Sequence, residues 1–110
     1  MVALAGLLGL AQRSEARSLD RFARCLDSRG AVYYGATWCP QCRRQDALFG
    51  SSLRYVPRVE CADAETGETT RTCRAANVKA FPTWTLRNGE RLRGRQSLER
   101  LAAVTGCTLP

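Results

Sequence analysis

The chain has 110 residues, 45% hydrophobic and 25% charged, which suits one globular domain with a modest core. Its six cysteines indicate disulfides in an oxidising compartment or metal binding in a reducing one, and the lack of histidine excludes Cys–His nucleophiles. The net charge is +7, but the arginines are scattered from Arg13 to Arg100 without a dense run, so we expect a solvated basic surface and no nucleic-acid binding.

The amino-terminal segment, residues 1–17, differs in composition from the rest of the chain. Residues 2–11 form an uncharged apolar run that is too short to cross a bilayer by itself. The run resembles the core of a signal peptide, and Ser14-Glu15-Ala16 offers a cleavage pattern, although no lysine or arginine precedes it. We interpret residues 1–17 as a signal peptide or the remnant of a membrane anchor, and residues 18–110 as the folded domain.

The domain begins with a helical pattern followed by an extended one. Apolar residues between Leu19 and Leu26 recur at helical spacing, with Ser18 as the N-cap and Gly30 as the helix end. The run AVYYG at 31–35 then predicts a short buried strand.

The middle of the chain predicts two more helices around a second strand. A helix is expected over 40–49, since Pro40 suits a first turn, where its missing N–H would have no partner. The run VPRVEC at 56–61 predicts the second strand, and 70–76 predicts a short helix after a polar loop.

The carboxy-terminal part predicts a hairpin and a last helix. Two short strands flank Asn88-Gly89, a dipeptide typical of type I′ turns, and Ser97 is a helix N-cap. A strand–helix–strand crossover and this hairpin together predict an α/β fold, a four-stranded mixed sheet with helices on both faces.

The cysteine pair in GATWCPQCRRQ lies where the first strand gives way to a helix. Cys39 at that helix N-terminus meets unpaired N–H groups and the positive end of the helix dipole, which favour the thiolate. Cys42 lies one turn further along, close enough to resolve a mixed disulfide formed by Cys39. Arg43 and Arg44 add positive charge nearby. This spacing predicts dithiol exchange.

The Phe81–Pro82 bond supports the same chemistry. A proline directly before a central strand is unusual, and a cis bond here would set its loop beside the cysteines as a surface for an extended substrate. Trp38, next to the attacking thiol, is expected to form part of the client-binding surface.

In order and spacing, WCPQC, FPTW and NGE resemble the thioredoxin superfamily. The wider string from FARCL to GRQSLERLA is similar to the thioredoxin-like domain associated with bacterial and plant vitamin K epoxide reductase homologues. The resemblance implies a thioredoxin-like fold. It also implies an enzyme that oxidises cysteine-containing client proteins and passes the electrons to a quinone-linked membrane partner, as a monomer without cofactor or metal.

The resemblance also assigns roles to individual residues. Cys39 would attack, Cys42 would resolve, and Trp38, Pro40, Gln41, Phe81 and Pro82 would contact the substrate in an extracytoplasmic oxidising compartment, a periplasm or thylakoid lumen. Tyr33 stands where ordinary thioredoxins carry a buried aspartate, and Pro40-Gln41 resembles oxidising members more than reducing ones. Isomerase or reductase action is the main enzymatic alternative.

The remaining four cysteines leave several interpretations open. A Cys61–Cys73 disulfide would tie down the polar loop between them, and the related domains place a pair there; a relay pair that exchanges with the first is the alternative. Cys25 and Cys107 are expected to be free thiols, because the first and last helices are placed on opposite faces of the sheet. A zinc site formed by the first pair together with Cys61 and Cys73 is disfavoured by the wide gap between the last two.

Overall fold

The computed structural model describes residues 19–110. The interpretation of residues 1–17 and of Ser18 as a helix cap lies outside the described residues. Helices and strands follow one another in the predicted order. They are α1 (19–28), β1 (Val32–Gly35), α2 (Pro40–Phe49), a 3₁₀ segment (Gly50–Tyr55), β2 (Arg58–Glu60), α3 (Arg71–Ala75), β3 (Thr83–Thr85), β4 (Arg91–Arg93) and α4 (Leu98–Thr105).

The four strands form one mixed sheet in the order β2-β1-β3-β4. Strand β1 pairs with β2 in parallel, whereas β3 is antiparallel to both β1 and β4. The register aligns Tyr33 of β1 with Arg58 on one side and with Trp84 on the other. The predicted crossover, hairpin and four-stranded mixed sheet are therefore confirmed.

The caps that limit the first and last helices follow from local sequence. Gly30 takes a left-handed backbone with φ 80°, and the Ala31 N–H donates to the Leu26 carbonyl at 3.0 Å, which closes the end of α1. At the start of α4 the Ser97 hydroxyl accepts the Arg100 N–H at 3.0 Å. Both caps had been predicted.

Helices cover both faces of the sheet, as expected, but their distribution differs from the prediction. Successive strand residues point to opposite faces, so Tyr33 and Tyr34 enter different clusters. The Tyr33 cluster contains buried side chains of α1, α2 and α4, among them Phe22, Phe49 and Leu101. The Tyr34 cluster contains the α3 side. Helices α1 and α4 thus share one face, and their placement on opposite faces was wrong.

That shared face explains a second correction. Cys25 on α1 and Cys107 after α4 form a disulfide, with their Cα atoms 5.9 Å apart. The expectation of two free thiols was wrong, because both helices pack into one core and bring the two cysteines within bonding distance.

The β3–β4 hairpin exists, but its turn is not of type I′. That type needs a positive φ at both central residues, and only Gly89 has one, with φ 88°. The Leu86 N–H donates to the Glu90 carbonyl at 2.8 Å, and the Gly89 N–H donates to the Leu86 carbonyl at 2.9 Å. The loop therefore has three residues and ends in a left-handed glycine.

A buried glutamine fixes α2 against the sheet. Gln45 is fully buried, and its Oε1 accepts hydrogen bonds from Trp84 Nε1 at 3.1 Å and from the Gln96 N–H at 2.7 Å. Its Nε2 donates to the Gln96 carbonyl at 3.0 Å. Because a buried amide needs all these partners, helix α2 is held in one orientation relative to β3 and to the segment before α4.

Within residues 19–110, none of the helices combines the length and the apolar character that spanning a membrane requires.

Candidate active site

The cysteine pair lies at the amino-terminal end of α2. Cys39 is the N-cap residue with an extended backbone, and its Sγ accepts the Cys42 N–H at 3.2 Å. Such a bond, together with the positive end of the helix dipole, stabilises negative charge on sulfur. The short β1–α2 connection and Pro40 in the first turn create this geometry, so the sulfur that was predicted to attack occupies a thiolate-stabilising position.

The two sulfurs have different surroundings. Both are free thiols; Cys39 is 5% exposed and Cys42 is fully buried. The Cys42 Sγ accepts the Ala36 N–H at 3.4 Å, and burial, followed by its hydrogen bond with Cys39, raises the pKa of Cys42 to about 12. Only Cys39 combines a stabilised sulfur with partial access to solvent.

The Phe81–Pro82 loop lies against the attacking sulfur. The bond between these two residues is cis, and the Cys39 thiol donates to the Phe81 carbonyl at 3.5 Å. Phe81 is half-buried and Pro82 is buried. The prediction that this loop would be cis and would lie beside the cysteines is confirmed.

An exposed aromatic surface adjoins the same loop. Trp38 is 56% exposed, and its ring meets the Phe81 ring edge-on with centroids 5.8 Å apart. Pro40 and Gln41 are exposed on the first turn of α2. All the residues predicted to contact a substrate therefore lie around the attacking cysteine, with an aromatic side chain presented to solvent.

Cys61 and Cys73 form a disulfide with Cα atoms 5.6 Å apart, the pair expected from the sequence. Both are buried beside Tyr34, on the face of the sheet away from the Tyr33 cluster. The bond occupies two of the four sulfurs that the zinc alternative requires, so the cysteines do not form a tetrathiolate site.

Sequence reasoning missed a set of polar residues behind the cysteine pair. Glu60 on β2 accepts the N–H groups of Thr37 and Ala62 at 3.0 and 2.9 Å, and it accepts Arg58 Nη1 at 2.9 Å. These bonds tie the segment before Cys39 to the sheet. The available signal was the Arg58-x-Glu60 alternation, which places both side chains on one face of the strand.

The Glu60 contacts predict a loss of stability in acid. Burial acts to raise the pKa of Glu60, but the hydrogen bonds from Ala62, Arg58 and Thr37 outweigh it and hold that pKa below its ordinary value of 4.5. A carboxyl with a lowered pKa stabilises the fold above its unfolded-state pKa and loses that contribution as pH falls through the folded-state pKa. Glu60→Gln should therefore reduce the free energy of unfolding at neutral pH.

Urea unfolding at about pH 7 and about pH 3 measures this effect. The difference between wild type and Glu60→Gln should shrink at the lower pH, where both side chains are neutral. Glu65→Gln, at an exposed position of the polar loop, is the matched control and should change little at either pH. An equal wild-type advantage at both pH values would contradict the argument.

Comparison with known proteins agrees with this geometry. The family profile described as thioredoxin matches residues 17–105, most of the chain. The chain belongs to the thioredoxin family. It is also 35% identical over 91 residues to the thiol-disulfide oxidoreductase LTO1 of Arabidopsis thaliana. The match covers 79% of this chain and 24% of that relative, so this thioredoxin-family chain spans about a quarter of the relative's length.

Proposed function

We propose that the protein is a thiol-disulfide oxidoreductase in which Cys39 attacks and Cys42 resolves. The observation that carries this proposal is the asymmetry of the pair. One sulfur is a helix N-cap that accepts a backbone N–H and is partly open to solvent, whereas the other is sealed beneath it. Dithiol exchange needs this division, since one sulfur must reach the client and the other must reach only the mixed disulfide. The name of the relative, thiol-disulfide oxidoreductase, supports the same chemistry.

The surface around Cys39 fits an extended client. In this proposal Trp38 and Phe81 supply an aromatic contact next to the sulfur, Pro82 shapes the loop, and Pro40 and Gln41 border the opposite side. The substrates are cysteine-containing proteins, recognised mainly through their main chain and apolar groups.

The favoured direction of the reaction is oxidation of clients in an extracytoplasmic oxidising compartment. Two features support it: the chain carries two disulfides besides the Cys39–Cys42 pair, and such bonds persist in oxidising compartments. Stabilising the reduced pair at the helix N-terminus makes its disulfide easier to reduce, and hence a better oxidant. Re-oxidation then falls to a separate quinone-linked membrane protein of the vitamin K epoxide reductase type.

The reduction potential tests the direction. Equilibration with glutathione buffers, followed by alkylation and mass measurement of the Cys39–Cys42 pair, should give a value in the range of ~−120 to −230 mV spanned by the more oxidising family members. A value near the ~−270 mV of thioredoxin would instead assign the protein to the reductases. Re-oxidation by quinone-containing membranes should require the partner protein.

A further inference from the structure

An arginine between two carboxylates lies behind the cysteine pair. Arg58 Nε donates to Asp46 Oδ1 of α2 at 3.1 Å, and Arg58 Nη1 donates to Glu60 Oε1 of β2 at 2.9 Å. The Arg58 side chain is only 16% exposed, so its charge is screened less than that of a surface arginine. Burial opposes this charge, but the two carboxylates raise the pKa of Arg58 and keep it ionised.

The network reaches the resolving cysteine through Tyr33. This fully buried residue directs its hydroxyl at Asp46 Oδ1, 2.7 Å away, and at the Cys42 carbonyl, 3.1 Å away. Burial and the bond to Asp46 raise the pKa of Tyr33, so the hydroxyl keeps its proton and stays a donor. The side chain standing where a carboxylate was anticipated therefore brings no charge of its own, and the nearest carboxylate is on the helix.

Four groups set the charge around the Cys42 sulfur. Cys39 lies on the same helix, Tyr33 on β1, Arg58 on β2, and Asp46 one turn along α2. Burial disfavours a thiolate at Cys42, and the Arg58 charge acts in the opposite direction. Arg58 is the cation among these four, and Asp46 offsets part of its charge.

We propose that Arg58 is a positioning residue for the resolving step: clamped between Asp46 and Glu60, it supplies the positive charge that makes the Cys42 thiolate accessible, while Asp46 limits that effect. The inference rests on the proposed roles of Cys39 and Cys42. In the step concerned, the Cys42 thiol gives its proton to solvent and its sulfur attacks the Cys39 sulfur of a mixed disulfide. The bond from Cys39 to the other molecule breaks, and that molecule leaves as a thiolate that takes up a proton.

This assignment predicts effects of opposite sign for two neighbouring substitutions. Arg58→Met removes the cation and leaves Asp46 unopposed, so the Cys42 thiolate becomes harder to form. Asp46→Asn keeps the shape of the side chain but frees the Arg58 charge, so the thiolate becomes easier to form. Arg58→Lys keeps the charge and should retain most of the wild-type behaviour, although it cannot reach both carboxylates with the same fork.

The experiment uses the full chain and glutathione disulfide as the probe. The reduced protein is mixed with the probe, and acid-quenched samples are analysed by mass spectrometry to follow glutathione release from Cys39 as the Cys39–Cys42 bond closes. The rate is measured against pH, because it follows the thiolate fraction of Cys42. We expect the midpoint of the profile to rise in Arg58→Met, with release near neutral pH slowed about tenfold for each pKa unit, and to fall in Asp46→Asn.

Arg44→Met is the matched control, because it removes the same charge from an exposed position of α2 and should leave the midpoint close to wild type. Equal shifts in Arg44→Met and Arg58→Met would overturn the proposal, since the effect would then belong to the overall charge. Slower release in both Arg58→Met and Asp46→Asn without a shift in midpoint would overturn it as well, because that result describes structural support alone.

Two further outcomes are assigned in advance. If Arg58→Met does not fold, Asp46→Asn decides, and a midpoint that does not fall refutes the role of Arg58. If the wild-type protein forms no glutathione adduct at Cys39, or forms one that Cys42 never releases, it is the proposed division of labour between the cysteines that fails.

Discussion

Replacing Cys39 with alanine should abolish dithiol exchange, whereas replacing Cys42 with alanine should leave attack intact and trap mixed disulfides. The reason is that Cys39 is the partly accessible N-cap sulfur, while Cys42 is fully buried and faces only its neighbour. Without Cys42 the client remains bound to Cys39, because no second sulfur is in reach to displace it.

Reduction of a disulfide-bonded reporter protein and non-reducing gel electrophoresis of trapped adducts measure the two effects. Mildly acidic alkylation of the reduced protein gives an independent order, in which Cys39 should be labelled before Cys42, whose pKa burial raises. Retention of exchange by Cys39→Ala, or adducts that form through Cys42 instead, would contradict the assignment. A Cys25→Ala/Cys107→Ala variant, which leaves the Cys39–Cys42 pair intact, should still exchange and serves as the control.

Removing the Cys25–Cys107 disulfide should cause the larger of the two stability losses expected from the structural bridges. The bond joins residues 82 apart in sequence, against 12 for Cys61–Cys73. In the chain-entropy model a cross-link restricts the unfolded chain more when it closes a longer loop, which gives about 4.5 kcal/mol for the first bond and about 3 kcal/mol for the second. The long bridge also fastens the chain end after α4 to α1.

Urea unfolding of the oxidised protein followed by circular dichroism measures these losses. The double variants Cys25→Ala/Cys107→Ala and Cys61→Ala/Cys73→Ala remove each bond without leaving an unpaired thiol. We expect both to be less stable than wild type, and the first to lose more. A smaller loss for the long bridge than for the short one would show that the unfolded chain is not restricted as the entropy model assumes.

The parts of the site that lie close together in sequence were predictable. WCPQC places a sulfur at a helix start because Pro40 and the preceding strand define that start locally, and the Phe81–Pro82 loop carried its own signal. The Cys61–Cys73 bridge spans one loop, so its closure depended on little else. Such features depend on contacts within a few residues, and a sequence pattern records them directly.

The hairpin marks a boundary case. Asn88-Gly89 correctly indicated a reversal of the chain between two strands, because glycine accepts a positive φ at that point. The number of loop residues depended instead on which backbone groups of the two strands paired, namely Leu86 with Glu90. Register between strands is settled across the sheet, so the dipeptide alone could not distinguish a two-residue from a three-residue loop.

By itself the sequence determined the order of elements, the mixed sheet, the attacking and resolving positions of the cysteine pair, and the family resemblance that the comparisons support. Only the tertiary structure decided that α1 and α4 share a face, which joins Cys25 to Cys107, and that Arg58 lies between Asp46 and Glu60 behind Cys42. Helix periodicity reports which side of a helix is buried but not the side of the sheet it packs against. Side chains from three separate elements meet only once the packing of the core has chosen among arrangements that the local pattern leaves equivalent.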